Sequence, residues 1–321
     1  MDPRNLDPSF PHPAGREQRV YVLLDVSHML KLLRNTFATC RLLKDRRGNI
    51  IRWQYLEELH QLQEREGLHL ANKLKSAHLC WQSQKMKVKL AAQTLGSSVA
   101  DALEFCRDAL DLAEFKNCQG TVDFLRMTDK LFDVLNSRNK YARGMKGAMK
   151  PETEATMSFL DEAHSYIESL TDIADNPMYT TPKRTPFIGF MVATKTVQAL
   201  YKLYVSERKS LQYLLTYKLS QDHLELRFCA IRAAGGFNNN PTARHFVATF
   251  KRLLMRHDIK VVTGSAVPQD HTAVLTPADT GNALKRALED ATQGILVDRR
   301  SELMPEDLDD RVSDIPSLLE L

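Results

Sequence analysis

Two carboxylates, Asp222 and Glu225, lie three residues apart in a stretch with helical periodicity. This spacing places both side chains on one face of a helix. Together with a third carboxylate such as Asp25, they could hold two divalent metal ions about 3.5–4 Å apart, an arrangement that catalyses phosphoryl transfer. Oxygen ligands of this kind suit Mg²⁺ or Mn²⁺. The alternative is a solvated helix face with an acidic first turn, which the spacing alone favours.

Asp25 follows an apolar run, residues 20–24, that is typical of a strand buried on both faces. A helix over residues 27–35 is predicted directly after it. An aspartate at the carboxyl end of a buried strand points into the crevice where open α/β sheets hold ligands. We therefore expect Asp25 to face a ligand site.

Basic residues occur in two patterns that suit phosphate groups. His28, Lys31 and Arg34 follow Asp25 at helical spacing and could line one wall of a nucleic-acid groove, although an exposed basic helix face fits them as well. In residues 85–89 every second residue is a lysine, which suits either a polyphosphate or a charged helix face. No G-x-x-x-x-G-K-[ST] sequence occurs, so a P-loop nucleotide site is excluded.

Composition limits the class of protein. The 44 basic and 40 acidic residues give a net charge of +4, which permits a nucleic-acid partner without requiring one. The five cysteines are widely spaced and form no zinc-ligand pattern, so we expect reduced and mostly buried thiols. The first residues lack the pattern of a signal peptide, and no apolar run is long enough to cross a bilayer. We therefore expect no membrane partner.

The elements that position these residues change in type along the chain. The first twenty residues are rich in proline and are predicted to be extended or irregular. From about Gly48 the periodicity is helical for more than a hundred residues, and we find no convincing strand there. Ser98, Thr121 and Pro151 are the predicted starts of three helices in this block. The block is therefore predicted to be a separate all-helical domain.

A proline-rich junction, residues 176–186, ends the helical block. Residues 187–193 are predicted to form a strand, and Thr194 to cap a following helix. Ser220 is the predicted cap of a helix over residues 221–232, whose apolar stripe of Leu224, Phe228 and Ile231 would pack on a sheet. A further helix is predicted to end near Arg256. The segment from Glu302 is acidic and is predicted to be a mobile tail.

Several stretches resemble the P-element-type DNA transposases, a group that includes the THAP-domain transposases. Each match is short, but together they recur in the family's order. The matching sequences are DVSHMLKLLRN (25–35), KLKSAH (73–78), KMKVKLA (85–91), LFDVLNS (131–137), LSQDHLE (219–225), the glycine pair 235–236 and NNPT (239–242). The ordered set is specific to this family.

The resemblance implies a mixed α/β fold that is predominantly helical: part of an RNase-H-like nuclease core, split by a large all-α insertion that binds GTP. The implied domains are residues 1–41 and 181–260 for the core, 42–180 for the insertion, and 261–321 for a poorly structured acidic tail. Asp25 would be the second catalytic carboxylate and Glu225 the last, both as metal ligands for Mg²⁺ or Mn²⁺, with Asp222 as an accessory acid.

The same resemblance implies the residues of a GTP site, in which GTP serves as an assembly cofactor. Lys73, Lys87 and Val88 correspond to the phosphate side, and Phe132 and Asp133 to the guanine side. An aspartate suits guanine, because its two oxygens can accept bonds from both N1–H and N2–H₂.

The chain departs from the family at three points. The family's first catalytic aspartate lies upstream of every matched residue, and so does its zinc-coordinating DNA-binding domain. Arg227-Phe228 stands where the family usually has an aromatic pair, and Ala233-Ala234 where it has Ser-Arg. We therefore expect a transposase fragment, inactive alone, that acts in the nucleus on transposon ends and target DNA, with a possible homo-oligomer. The alternative is a domesticated module that binds GTP together with DNA or protein without catalysis.

Overall fold

A computed structural model describes residues 7–67, 70, 72–236, 238 and 240–255. The predicted acidic tail, residues 261–321, lies outside the described residues. The described chain is mostly helical. Its α-helices are α1 (Val26–Cys40), α2 (Gln54–Glu66), α3 (Ser76–Leu79), α4 (Val88–Thr94), α5 (Ser97–Asp108), α6 (Gln119–Leu135), α7 (Glu154–Ser169), α8 (Thr185–Tyr201), α9 (Asp222–Ala234) and α10 (Ala243–Met255). Shorter helical turns are the 3₁₀ segments Trp81–Gln84, Ala113–Phe115, Gly144–Lys146, Met178–Thr180 and Thr216–Leu219, and the π-helical segment Lys202–Glu207.

The first sheet of the described chain is an antiparallel hairpin of β1 (Ser9–His12) and β2 (Gly15–Tyr21). The predicted buried strand over residues 20–24 is therefore wrong in its bounds and its burial, because the strand ends at Tyr21 and Val22 is 41% exposed. A strand buried on both faces needs neighbouring strands and covering layers, and β2 pairs only with the preceding proline-containing segment. Residues 22–25 then lead directly into α1.

A second hairpin pairs β3 (Leu42–Lys44) with β4 (Ile50–Arg52) inside the block predicted to be free of strands. Its turn is held by Asp45, whose Oδ1 accepts bonds from the backbone N–H groups of Arg47 and Asn49, each at 2.8 Å. Three-residue strands are too short to show a clear alternation of apolar and polar residues. The prediction of an uninterrupted helical block is wrong at this point.

The core is built around α1, and aromatic rings fill its centre. The Phe37 ring lies edge-on against Trp53 and Phe124, with centroids 5.3 and 5.1 Å apart. The α8 helix crosses α1 closely, because a Cβ atom added to Gly189 would lie 2.2 Å from the Met29 Sδ. Only a residue without a side chain fits this crossing unless Met29 moves.

The strand predicted over residues 187–193 is wrong, since these residues lie within α8. This helix is apolar on nearly every side and buried, so its residues form a continuous apolar run like that of a buried strand. Thr194 does not cap a helix either. Its Oγ1 donates a bond to the Met191 carbonyl at 2.8 Å and lies 3.0 Å from the His164 Nδ1, both inside the core.

Three of the predicted helices exist, but their predicted first residues are wrong. The α5 helix begins at Ser97, whose N–H and hydroxyl both donate to the Asp129 Oδ2, at 3.0 and 2.6 Å. Thr121 lies inside α6, where its Oγ1 accepts a bond from the Arg52 N–H at 2.9 Å. Pro151 precedes α7, which begins at Glu154. At α5 the partner at the helix start, Asp129, comes from another helix, so neighbouring residues in the sequence do not reveal it.

Two helices at the carboxyl side, α9 and α10, carry exposed apolar residues. Leu224 is 59% exposed and Phe228 is 49% exposed, so the predicted packing of both on a sheet is wrong within the described residues. Ile231 is buried as predicted. The α9 helix begins at Asp222, one residue later than predicted, and Ser220 accepts its N–H at 3.3 Å.

The predicted fold class is confirmed: the chain is mixed α/β and predominantly helical. The described residues belong to one compact unit, residues 1–267. The finer division into core and insertion at residues 41 and 180 stays a prediction. None of the described helices is long and apolar enough to span a bilayer.

Candidate nucleotide and metal site

Asp25 is the N-cap residue of α1. Its Oδ2 accepts a bond from the His28 N–H at 3.0 Å, while its Oδ1 is buried and has no hydrogen-bond partner. The exit of the first hairpin fixes this position, because the Thr196 hydroxyl of α8 donates to the Val22 carbonyl three residues earlier. A buried carboxylate oxygen that accepts no hydrogen bond can coordinate a cation.

Asp222 and Glu225 lie in the first turn of α9, but their surroundings differ. Asp222 is 5% exposed, whereas Glu225 is exposed. Burial raises the pKa of Asp222, Arg138 opposes the rise, and the nearby Asp25 and Glu225 add to it. The three carboxylates therefore lie close enough to interact electrostatically.

Arg138 is a partner of Asp222 that the sequence did not reveal. Its Nη2 lies 3.4 Å from the Asp222 Oδ2, and its guanidinium lies over the Tyr217 ring, 3.9 Å from the centroid. Because Arg138 follows α6 by three residues and Asp222 begins α9, this ion pair joins two distant parts of the sequence. Predicting this ion pair from sequence would require an alignment in which both positions vary together.

The carboxylates do not form a complete metal cage. Among the described residues, no three His, Cys, Asp or Glu side chains are arranged to hold a metal ion. The assignment of Asp25 and Glu225 as metal ligands therefore stays a prediction. The unpartnered Oδ1 of Asp25 is the feature that fits it.

The basic residues that follow Asp25 are less accessible than the sequence predicted. Lys31 is 8% exposed and Arg34 is fully buried, so the predicted groove wall is wrong for these two residues. Arg34 donates from Nη2 to the Gln84 carbonyl at 2.8 Å and from Nε to the Asn35 Oδ1 at 2.8 Å. It thus holds the segment that leads into α4.

The predicted phosphate-side residues lie around α3 and α4. Lys73 is exposed in the segment before α3, Lys87 is the exposed N-cap residue of α4, and Val88 is its half-buried first residue. The Lys87 N–H donates to the Gln84 carbonyl at 3.2 Å. Two flexible ammonium groups at the surface can meet phosphate oxygens as point charges.

The predicted guanine-side residues lie in the last turns of α6. Phe132 is half-buried and packs on the core. Burial raises the pKa of the Asp133 carboxyl to about 6, the nearby Lys146 lowers it, and Asp129 raises it. Asp133 is therefore a half-buried acid close to a lysine that the sequence did not single out.

Hydrogen bonds tie the end of α6 to the approach to α9. The Ser137 N–H donates to the Thr216 Oγ1 at 2.9 Å, and the Thr216 hydroxyl donates to the Val134 carbonyl at 2.5 Å. The Ser137 Oγ lies 3.0 and 2.8 Å from the carbonyl oxygens of Lys146 and Gly147, which share its single proton. We name this set the Ser137–Thr216 junction. It connects the helix of Asp133 to the segment before Asp222.

The cysteines are free thiols in differing surroundings. Cys106 and Cys118 are buried, Cys40 and Cys229 are half-buried, and Cys80 is exposed. The prediction of mostly buried thiols is thus right for two of the five. Burial raises the pKa of Cys106 to about 11, which makes it a poor nucleophile at neutral pH.

Comparison with known families identifies the class of protein. Residues 27–148 match the family described as "TNP-like, GTP-binding insertion domain", and residues 217–251 match "TNP-like, RNase H C-terminal domain". The first match contains Asp133 and the phosphate-side lysines, and the second contains Asp222 and Glu225. The chain thus combines a transposase-type insertion with part of an RNase-H-like domain.

Individual transposases are similar to the chain over most of its length. The chain is 35% identical to the human DNA transposase THAP9 over 259 residues, and 27% identical to the P transposase of a Drosophila melanogaster transposable element over 248 residues. These matches cover 80% and 77% of this chain. The chain is therefore related by descent to the P-element-type transposases, as its motifs predicted.

The structural comparison agrees. The fold matches a chain of the Drosophila P element transposase strand transfer complex with a TM-score of 0.66 and 25% identity, covering 81% of this chain and 56% of that one. The present chain spans 28% of the human relative and 32% of the Drosophila one. It corresponds to a portion of those proteins.

Proposed function

We propose that this chain is the part of a P-element-type transposase that binds GTP and contributes two metal-binding carboxylates, Asp25 and Glu225, to DNA cleavage and strand transfer. Its substrates would be transposon ends and target DNA, its location the nucleus, and its working form a homo-oligomer. The observation that carries the proposal is Asp133, a half-buried carboxylate within the residues that match a GTP-binding insertion domain.

Asp133 has the chemistry to select guanine. Its two carboxylate oxygens would accept bonds from N1–H and N2–H₂, donors that adenine does not present in this arrangement. Phe132 would support the purine, and Lys73, Lys87 and Val88 would hold the phosphates. A half-buried site strengthens such bonds, since water competes less for the donors and acceptors.

The proposal is tested by changing the acceptor at residue 133. Asp133→Asn replaces one oxygen with an NH₂ donor, which clashes with guanine but suits xanthine, whose C2 carries an oxygen. We expect calorimetric titration of the wild-type chain to show binding of GTP in preference to ATP and XTP, and the variant to prefer XTP. Asp161→Asn, an exposed acid on α7, is the matched control. Equal binding of GTP and ATP by the wild-type chain would refute guanine selection.

The metal part of the proposal rests on the Asp25 Oδ1. Mg²⁺ bound there would stabilise negative charge on a reacting phosphate and activate a nucleophile. Asp25 would hold the ion through its unpartnered oxygen, and Glu225, which is exposed and near Asp222, would join it. Asp222 would keep its ion pair with Arg138 and so position α9.

The alternative is a GTP-binding module that has no catalytic role. The engagement of Asp222 with Arg138 favours it, because that carboxylate is already paired. Binding of Mn²⁺ followed by electron paramagnetic resonance separates the two functions. Transposase chemistry predicts weaker Mn²⁺ binding by Asp25→Asn and Glu225→Gln than by Asp161→Asn, whereas a non-catalytic module predicts no difference.

A further inference from the structure

Arg34 is the one fully buried basic side chain among the described residues, with 0% of its surface exposed. Two of its three nitrogens are bonded: Nε to the Asn35 Oδ1 and Nη2 to the Gln84 carbonyl, each at 2.8 Å. The third, Nη1, is buried without a hydrogen-bond partner. No carboxylate of the described residues forms an ion pair with this guanidinium.

A buried guanidinium without a counter-charge destabilises the folded state, because its lost hydration is not replaced. Arginine stays protonated in proteins, so Arg34 cannot avoid this cost by losing its proton. The neighbouring His78 supplies no counter-charge, because an imidazole ring is either neutral or positive; burial lowers its pKa, and the charge of Arg34 lowers it further. A negative charge supplied from outside the described residues would remove the cost.

The position of Arg34 indicates where such an anion would bind. Its contact, Gln84, lies three residues before Lys87, and the adjacent Asn35 Nδ2 donates to the Lys85 carbonyl at 3.4 Å. Arg34 and Asn35 thus bond the backbone of the segment that bears the predicted phosphate-side residues Lys87 and Val88. Lys85 and Lys87 are exposed on the same segment, so positive charges lie on its solvent side as well as on the buried side that contacts Arg34.

We propose that Arg34 is a positioning residue for the nucleotide's polyphosphate: it holds the segment of residues 84–88 and supplies a buried positive charge that the phosphates neutralise. The inference rests on the proposed GTP binding and extends it. It assigns to Arg34 the preference for ligands with phosphates over guanosine. Guanosine, which has no phosphate, would gain nothing from Arg34.

The test compares guanosine, GDP and GTP on three full-length proteins: wild type, Arg34→Met and Arg34→Lys. Methionine keeps much of the volume and removes the charge. We expect Arg34→Met to weaken GTP binding about tenfold, the effect of a single charge-assisted interaction, while guanosine binding stays unchanged. Without nucleotide, Arg34→Met should melt at the same temperature as wild type or higher, because an uncompensated buried charge is gone.

Arg34→Lys should keep most of the difference in affinity between GTP and guanosine, since it retains the positive charge. The inference is overturned if Arg34→Met weakens guanosine and GTP by the same factor, or if it lowers the melting temperature and leaves the GTP-to-guanosine ratio intact, since either result marks a purely structural residue. Failure of the proposed function would look different: the wild-type chain itself would bind none of the three ligands.

Discussion

The helices that carry the two groups of candidate site residues, α6 and α9, differ in how they are packed. On α6, Leu131, Val134 and Leu135 are buried beside Asp133. On α9, Leu224 and Phe228 are exposed. Both helices present carboxylates, but the apolar residues next to Asp133 are buried, whereas those next to Glu225 are exposed.

Because of this difference, the described residues surround Asp133 more completely than they surround Glu225. The surroundings of Asp133 already raise its pKa to about 6, because neighbouring side chains exclude water from it. Glu225 remains in solvent, and its neighbour Asp222 is held by Arg138. The surroundings of Asp133 are therefore supplied largely by the described residues, whereas those of Glu225 are mostly solvent.

The largest expected effect compares one phenylalanine from each region. Phe124→Ala removes a fully buried ring that contacts Phe37, and we expect it to lower the free energy of unfolding by about 3–5 kcal/mol. Phe228→Ala removes a half-exposed ring of α9, and we expect a loss below about 1 kcal/mol. Urea unfolding followed by circular dichroism measures both.

Equal losses at the two phenylalanines would break the comparison, since they would show α9 to be as well packed as α6. Tyr141→Ala, at a position that is 76% exposed, calibrates the effect of removing an aromatic side chain from the surface.

A smaller effect is expected at the crossing of α1 and α8, which positions Asp25. Gly189→Ala places a Cβ 2.2 Å from the Met29 Sδ, so Met29 or a helix must move. We expect a loss of about 1–3 kcal/mol in the free energy of unfolding, as for overpacked cores. Thermal melting of the variant measures it.

Gly15→Ala is the matched control, because a Cβ at that position meets no atom within 4 Å. If Gly189→Ala melts like the control, the two helices are less tightly packed than the structure shows. The position of Asp25 would then depend on the hairpin exit instead.

The smallest expected effect is the pH dependence of GTP binding. The pKa of Asp133 is raised from 3.8 to about 6 by burial, so the folded state favours the protonated acid, and this group's contribution to stability declines as pH rises from about 4 to about 6. Guanine recognition needs the ionised form. Between pH 7 and pH 5 we therefore expect about a tenfold loss of affinity for the guanine base, as carried by guanosine.

Titration calorimetry at the two pH values tests this expectation, with guanosine as the ligand so that phosphate protonation does not contribute. Asp133→Asn should bind guanosine more weakly at both pH values, with no such change between them. An affinity that is equally pH-dependent in the variant would assign the titration to another group.

The sequence predicted the family resemblance better than it predicted the elements that carry the candidate site. Asp133 and Lys87 fall within residues that match the GTP-binding insertion domain, and Glu225 within those that match the RNase-H domain. The strand predicted over residues 187–193 was wrong because a helix buried on all sides has the same apolar run as a buried strand. The existence of these helices was predictable from periodicity, while the start of α5 depends on a distant acceptor, Asp129.

Ion pairs and buried charges could not be predicted from the sequence, for a related reason. Arg138 meets Asp222 across 84 positions, and Arg34 reaches Gln84 across 50. Local spacing says nothing about such pairs, because tertiary packing brings them together. The exposure of Phe228 was equally hidden, since an apolar stripe looks the same whether or not a neighbouring layer covers it.

The Ser137–Thr216 junction has a consequence for folding kinetics. Its two residues are 79 positions apart, so its first bond closes a long chain loop. Closing such a loop costs conformational entropy before any native contact repays it, and contacts between distant residues slow folding in general. We therefore expect α6 to acquire its packing first and the tether to α9 to form late, so that Asp133 is in place before Asp222 is.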